Sequence, residues 1–176
     1  MYSICKFKAF TLVELIITLA ILAILVTIAI PSFQSFRERQ ERAQVLPTVR
    51  QAISLARTNA SLYRTQVVIC SSSSLKKCED NQWDKGMIIF LDQNKNKTLD
   101  DNEKIIQAIK TNYNYGSFTW TGGATSTNVI IFQPDSGLPR GSQGNFKYCA
   151  YDQSKTSLIV RLSQTGQTRL QEQKTC

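Results

Sequence analysis

Asp92, Asn94, Asn96, Asp100 and Glu103 stand at positions one, three, five, nine and twelve of a twelve-residue stretch. Oxygen-bearing side chains at that spacing match the EF-hand calcium loop, in which they wrap a hard cation. Lys97 stands where such a loop needs glycine, and no helix is expected on either side. The other reading of the same residues is an Asn/Asp-rich turn joining two strands. Calcium is the one cofactor that these residues suggest, and otherwise none is expected. A further carboxylate, Glu14, interrupts an otherwise uncharged apolar run over residues 10–30. A charge near a bilayer core costs about 2.5–3.5 kcal/mol on insertion scales, so it is expected to have a partner or a role. Catalysis finds little footing. The chain has no histidine, which removes Ser-His and Cys-His chemistry. Its carboxylates cluster in turn-like segments, not at apolar strand ends where shifted pKa values are expected. There is no Gly-rich phosphate loop and no nucleophile elbow, so the chain is not expected to be an enzyme.

Charge and cysteines narrow the class further. Of 176 residues, 21 are Lys or Arg and 13 Asp or Glu, a formal charge of +8. Residues 79–103 hold seven acids against three lysines. Residues 140–176 hold six bases (Arg140, Lys147, Lys155, Arg161, Arg169 and Lys174) against Asp152 and Glu172. A basic end of this kind suits an anionic polymer such as nucleic acid, or serves only to keep a surface soluble. Cys70, Cys78, Cys149 and Cys176 lie beyond the apolar run, and four cysteines allow three pairings. The favoured set is Cys70–Cys78, closing a short loop, with Cys149–Cys176, clamping a residue that would otherwise fray. Both bridges need an oxidising compartment. The lack of histidine and of any Cys-x-x-Cys pair argues against zinc.

The elements that must position these residues fall into three stretches. Residues 1–9 are a short leader carrying Lys6 and Lys8. Residues 10–62 read as one long helix. Its first 21 residues, 10–30, suffice to cross a bilayer, which takes roughly 20. Residues 31–62 form an amphipathic stem, with a kink expected at Pro31 and a second irregularity at Pro47. The charged run 37–42 reads as the exit from the bilayer. Val45, Val49, Ala52, Ala56 and Ala60 then recur at spacings of three and four, a smooth face suited to lying against a sheet. From residue 63 to 176 the texture is short β-rich runs split by polar turns. Strands are expected at 65–70, 87–91, 104–109, 117–120, 128–132, 146–151, 158–162 and 168–171. Tyr113, Tyr115, Phe118 and Trp120 alternate as one core-facing side of a strand does; a stacking platform for single strands is the alternative. The fold class expected is α+β, a long helix packed on an antiparallel β-sheet or sandwich.

The N-terminal pattern resembles that of type IV prepilins and pseudopilins: a basic leader, then Phe10 with Glu14 four residues on and Pro31 further down the helix. Residues in the β-rich part resemble the GspH/FimT family, which covers minor pilins and the H-type minor pseudopilin. They are Cys70 after a β run, Trp83 to Gly86 leading into Ile88, Ile89, Phe90, Leu91 and Asp92, then Cys149, and the closing Gly166 and Arg169. The resemblance implies a pilin-like fold and cleavage between Ala9 and Phe10 by a prepilin peptidase, Ala9 replacing the usual glycine. It implies N-methylation of Phe10 and contact of Glu14 with the N-terminal amine of a neighbouring subunit. Loss of Lys6 and Lys8 would leave 19 bases against 13 acids, a balance of +6. The expected function is a minor pilin with a structural role in priming or capping a type IV pilus; the alternative is the H-type pseudopilin of a type II secretion system. Partners would be other pilins or pseudopilins, the peptidase and the inner membrane, with a single pass and a periplasmic C-terminal domain that later joins a pilus or pseudopilus. Gly166 and Arg169 also resemble part of a Gly-Arg-x-Arg element of some DNA-uptake pilins, with Gln167 in place of the first arginine. DNA is therefore a further expected partner, through Arg169 and, if the fold gathers them, Arg140, Lys147, Arg161 and Lys174. The other reading is a solvated turn with ordinary surface charge.

Overall fold

The computed structural model describes residues 10–122, 128–152, 156–174 and 176, the side chain of Pro31 excepted. Ala9 with the rest of the leader, and Lys155, lie outside them. One helix, α1 (Leu12–Tyr63), is followed by eight strands: β1 (Gln66–Ser71), β2 (Gly86–Asp92), β3 (Ile105–Lys110), β4 (Gly116–Gly122), β5 (Val129–Phe132), β6 (Gly144–Ala150), β7 (Ser157–Leu162) and β8 (Thr168–Gln173). Each expected strand is present, with ends that differ by no more than two residues. The helix runs through Pro31 and Pro47 without interruption. The chain divides into two compact units, Met1–Arg39 and Gln40–Cys176.

Among the described residues, the first unit is helix from Leu12 onward. Thr11 caps it: its Oγ1 accepts from the Glu14 amide at 3.2 Å, and its carbonyl accepts from the Leu15 amide at 3.1 Å. Hydroxyl residues favour this position because they satisfy an amide that the helix leaves unpaired. Every described side chain from 10 to 30 is exposed. The most apolar window of α1 reaches a mean hydropathy of 2.8, so the helix is long and apolar enough to cross a membrane.

The second unit builds its core from one stripe of α1 and the inner faces of two antiparallel sheets, ordered β3-β2-β1-β5 and β4-β6-β7-β8. Val45, Val49, Ala52, Ile53, Ala56 and Ala60 are buried in it, while Arg50, Ser54 and Arg57 between them are exposed. The alanines let the helix come close to the sheets. Phe146 is the hub of the aromatic packing, with Trp83 edge-on at 5.3 Å, Phe118 stacked at 5.3 Å and Trp120 at 4.6 Å between centroids. Aromatic pairs of this kind add roughly 0.5–1.5 kcal/mol each beyond the area they bury. Phe118 and Trp120 on β4 are core residues as expected, and so is Tyr113, but Tyr115 is only half-buried and both tyrosines precede the strand. The sheets differ in exposure. Strands β1 and β2 are buried along their whole length, because Val68, Cys70, Ile88, Phe90 and Ile131 form a second apolar cluster on the far face. Cys78 and Leu99, from the loops that follow β1 and β2, pack against that cluster. Strands β4 and β6 instead alternate between buried and less buried residues, so their sheet keeps one face toward solvent.

Candidate functional site

The solvent face of the β4-β6-β7-β8 sheet gathers most of the basic residues that the sequence singles out. Arg161 on β7 pairs in register with Arg169 on β8, and Asn145 on β6 pairs with Arg161. Lys147, two residues along β6 from Asn145, lies on the same face. Directly opposed side chains in an antiparallel pair stand about 4.5–5.5 Å apart at Cβ, and like charges there are destabilising. Among the described residues neither arginine has an ion-pair partner; Arg161 Nε donates to Asn145 Oδ1 at 3.3 Å. The β7–β8 hairpin fixes this register: Gly166 takes a φ of +75° in its turn, and the Ser163 amide donates to the Gln167 carbonyl at 3.0 Å. The one acid on β8, Glu172, turns to the other side and meets Arg42 of α1 at 3.3 Å. Lys174 is exposed just past β8. Arg140 is not drawn into a pair with these residues, since it bonds Asp135 at 3.2 Å. Lys147 Nζ donates to the Cys176 carbonyl at 2.8 Å.

Asp92 at the end of β2 and the loop after it hold all five expected calcium ligands, and their oxygens accept hydrogen bonds from nearby nitrogens. Buried Asp92 accepts through Oδ1 from the Asn96 amide at 3.1 Å, and through Oδ2 from the Lys97 amide at 3.0 Å and Gln66 Nε2 at 2.7 Å. Asn94 Oδ1 accepts from the Asn96 amide and Asn96 Oδ1 from the Thr98 amide, two successive Asx turns at 3.0 and 2.7 Å. The amide nitrogens of Asn94 and Asn96 donate to Asp100 Oδ2 at 2.7 and 2.8 Å. Glu103 accepts from the amides of Gln93 and Asp100. Lys97 adopts the left-handed backbone, φ +67°, that the glycine of a calcium loop would supply. Among the described residues, no group of three or more His, Cys, Asp or Glu side chains is placed to hold a metal. The geometry is that of a turn.

The cysteines divide. Cys70 and Cys78 form the expected disulfide, closing the loop after β1 with 5.6 Å between Cα atoms. The second expected pair, Cys149 and Cys176, is unbridged in this structure, its two thiols sharing a hydrogen bond. Burial pushes the Cys149 thiol up to about 11, and a hydrogen bond with Cys176 adds to the rise. Glu79, immediately after the Cys70–Cys78 ring, is held below the usual carboxylate range by Ser73, whose hydroxyl and amide donate to Oε2 at 2.5 and 2.7 Å.

Two residues of the charged run 37–42 carry a role that local sequence does not reveal. Glu41 accepts from the Asn114 amide at 2.7 Å, the Tyr115 amide at 3.0 Å and the Tyr148 hydroxyl at 2.8 Å. Arg42 donates to the carbonyl and, at 2.7 Å, the hydroxyl of Thr156. A partner 73 residues away in the chain leaves no periodic signal near Glu41. The nearest cue is Asn112, whose left-handed φ of +49° turns the chain so that successive amides face the helix.

Comparison with known proteins matches residues 48–166 to the family Type II transport protein GspH and residues 4–30 to the prokaryotic N-terminal methylation motif. No curated protein sequence matches. Among solved structures, the type IV minor pilin FimU of Pseudomonas aeruginosa strain PAO1, in space group P21, is 15% identical with a TM-score of 0.54. That likeness covers 80% of this chain and 98% of the other, and it is one of fold. A second crystal form of FimU, in space group P65, is 13% identical with a TM-score of 0.49, covering 74% and 95%.

Proposed function

Because the chain belongs to the GspH family of type II transport proteins, we propose that this minor pilin or pseudopilin works as a minor pilin of a type IV pilus, priming or capping the filament. The observation that carries this reading is one continuous helix joining a methylation motif, at residues 4–30, to a two-sheet domain. In it, a prepilin peptidase cuts between Ala9 and Phe10 and methylates Phe10. Residues 10–30 hold the protein in the inner membrane with the sheet domain in the periplasm. Assembly then packs stem helices together, with the helix bending at Pro31 and Glu14 meeting the Phe10 amine of an adjoining subunit. The mechanism is association, not chemistry on a substrate. Deletion of the gene is expected to impair twitching and leave exoprotein release intact. The reverse pattern would assign the chain to a type II secretion pseudopilus as its H-type subunit. Mass spectrometry of the native protein is expected to find N-methylated Phe10 as first residue, and a retained leader would overturn the reading.

A second reading, DNA capture for transformation, is favoured by the opposed Arg161 and Arg169 on an exposed face. An anion between two like charges relieves their repulsion, and phosphate accepts forked contacts from arginine. Arg169→Ala is expected to weaken binding of a short duplex at low salt; an unchanged affinity would remove Arg169 as the contact.

A further inference from the structure

Beside the Arg161–Arg169 pair, a cavity of about 300 Å³ opens between the start of β6 and the end of β7. It is lined by Gln143, Asn145, Arg161, Leu162, Ser163 and Gln164. The volume lies at the lower end of the range for small-molecule sites. Three features define what would fill it. Arg161 spends Nε on Asn145 and keeps its two terminal nitrogens for an oxyanion. The rest of the polar lining is amide and hydroxyl, groups that both donate and accept. No aromatic side chain lines the cavity, so it offers nothing on which a nucleobase would stack.

Two buried polar atoms lie in residues near the start of β6, outside the open surface of the cavity. Gln143 has its Oε1 buried without a hydrogen-bond partner. Trp120, 6% exposed, has its indole Nε1 in the same condition. Its ring packs under Gly144: a Cβ there would fall 2.7 Å from Trp120 Cζ2. Buried polar atoms without partners are rare in folded proteins, and each calls for a reason.

We propose that this cavity binds an acidic sugar unit, its carboxylate or phosphate on Arg161 and its hydroxyls on the surrounding amides. The site goes beyond the filament role and does not depend on it. It shares Arg161 with the DNA reading but differs in ligand and in contacts. On the full-length chain in detergent micelles, saturation-transfer NMR with D-glucuronate is expected to show binding at millimolar concentration, with glucose about tenfold weaker. Arg161→Gln should weaken glucuronate by about tenfold and Arg161→Lys by less, since a point charge replaces the planar fork. Gln164→Leu, on an exposed turn, tests the hydroxyl contacts without touching the charge and should weaken both sugars. Circular dichroism checks that each variant is folded. Equal binding of glucose and glucuronate would overturn the proposal, as would Arg161→Gln binding like the parent. Inorganic phosphate binding alone, with no sugar signal, would reduce the site to a bare anion contact. Arg169→Ala separates the two readings: it should leave glucuronate binding intact while weakening a DNA duplex.

Discussion

Glu41 shows how much one side chain can hold. It receives two backbone amides from the segment before β4 and the phenol of Tyr148 on β6, so a single helix carboxylate fastens α1 to the solvent-faced sheet. Hydrogen bonds to a charged group contribute roughly 1.5–3 kcal/mol each, and donors left unpaired cost more than an average bond gains. Its charge also bears on Tyr113: burial first, and then the Glu41 carboxylate, push that phenol above its ordinary range. Glu41→Ala is therefore expected to destabilise the chain by about 2–4 kcal/mol, and Tyr148→Phe, which removes one bond, by about 1 kcal/mol. Denaturant midpoints of the two variants in the same detergent check this. Equal losses would mean that the backbone amides gain nothing from the carboxylate and that the phenol alone makes the tie.

At the level of elements, the loop after β2 sets two uses of one composition against each other. Its carboxylates accept from amides and side-chain nitrogens, and among the described residues no three acids are placed to share a cation. Calcium titration of the full chain by calorimetry is expected to give no binding heat at millimolar concentration; a saturable heat lost in Asp92→Asn would reverse this. The elements were otherwise legible. Alternation and turn residues located every strand, and the spacing of three and four from Val45 to Ala60 found the buried stripe of α1. The double burial of β1 and β2 is written in their unbroken apolar runs, Val67 to Cys70 and Met87 to Leu91, although only the structure shows that two loops cover the far face. What could not be read were contacts across many residues. The charged run 37–42 looks like solvated exit from a bilayer, since nothing near it names Asn114 or Thr156 as partners. The Arg161–Arg169 opposition lay within reach, because the turn around Gly166 sets the register; Arg140 did not, because its ion pair with Asp135 depends on how a loop folds back.

Across the whole molecule the open question is what an exposed acid does on a helix with no other charge from Leu12 to Phe36. Thr11 caps α1 through the Glu14 amide, which places Glu14 at the third helical position. There the helix dipole favours a carboxylate, and a reciprocal bond to the Thr11 amide is the usual capping-box role. Glu14 thus has two ways to be tolerated: in its own helix start, or against the freed amine of another subunit. Glutamine separates them, because it serves a capping box as well as glutamate does but brings no charge to an amine. If helix capping were the whole role, Glu14→Gln would behave as the parent and Glu14→Ala would not. The proposed filament predicts instead that both variants reach the membrane at parental levels and are both depleted, by about tenfold or more, from sheared filaments. A lost buried ion pair costs roughly 3–5 kcal/mol, enough for that depletion. Quantifying the protein in membrane and sheared fractions decides between the two, and parental recovery of Glu14→Gln in filaments would leave the carboxylate as a cap and nothing more.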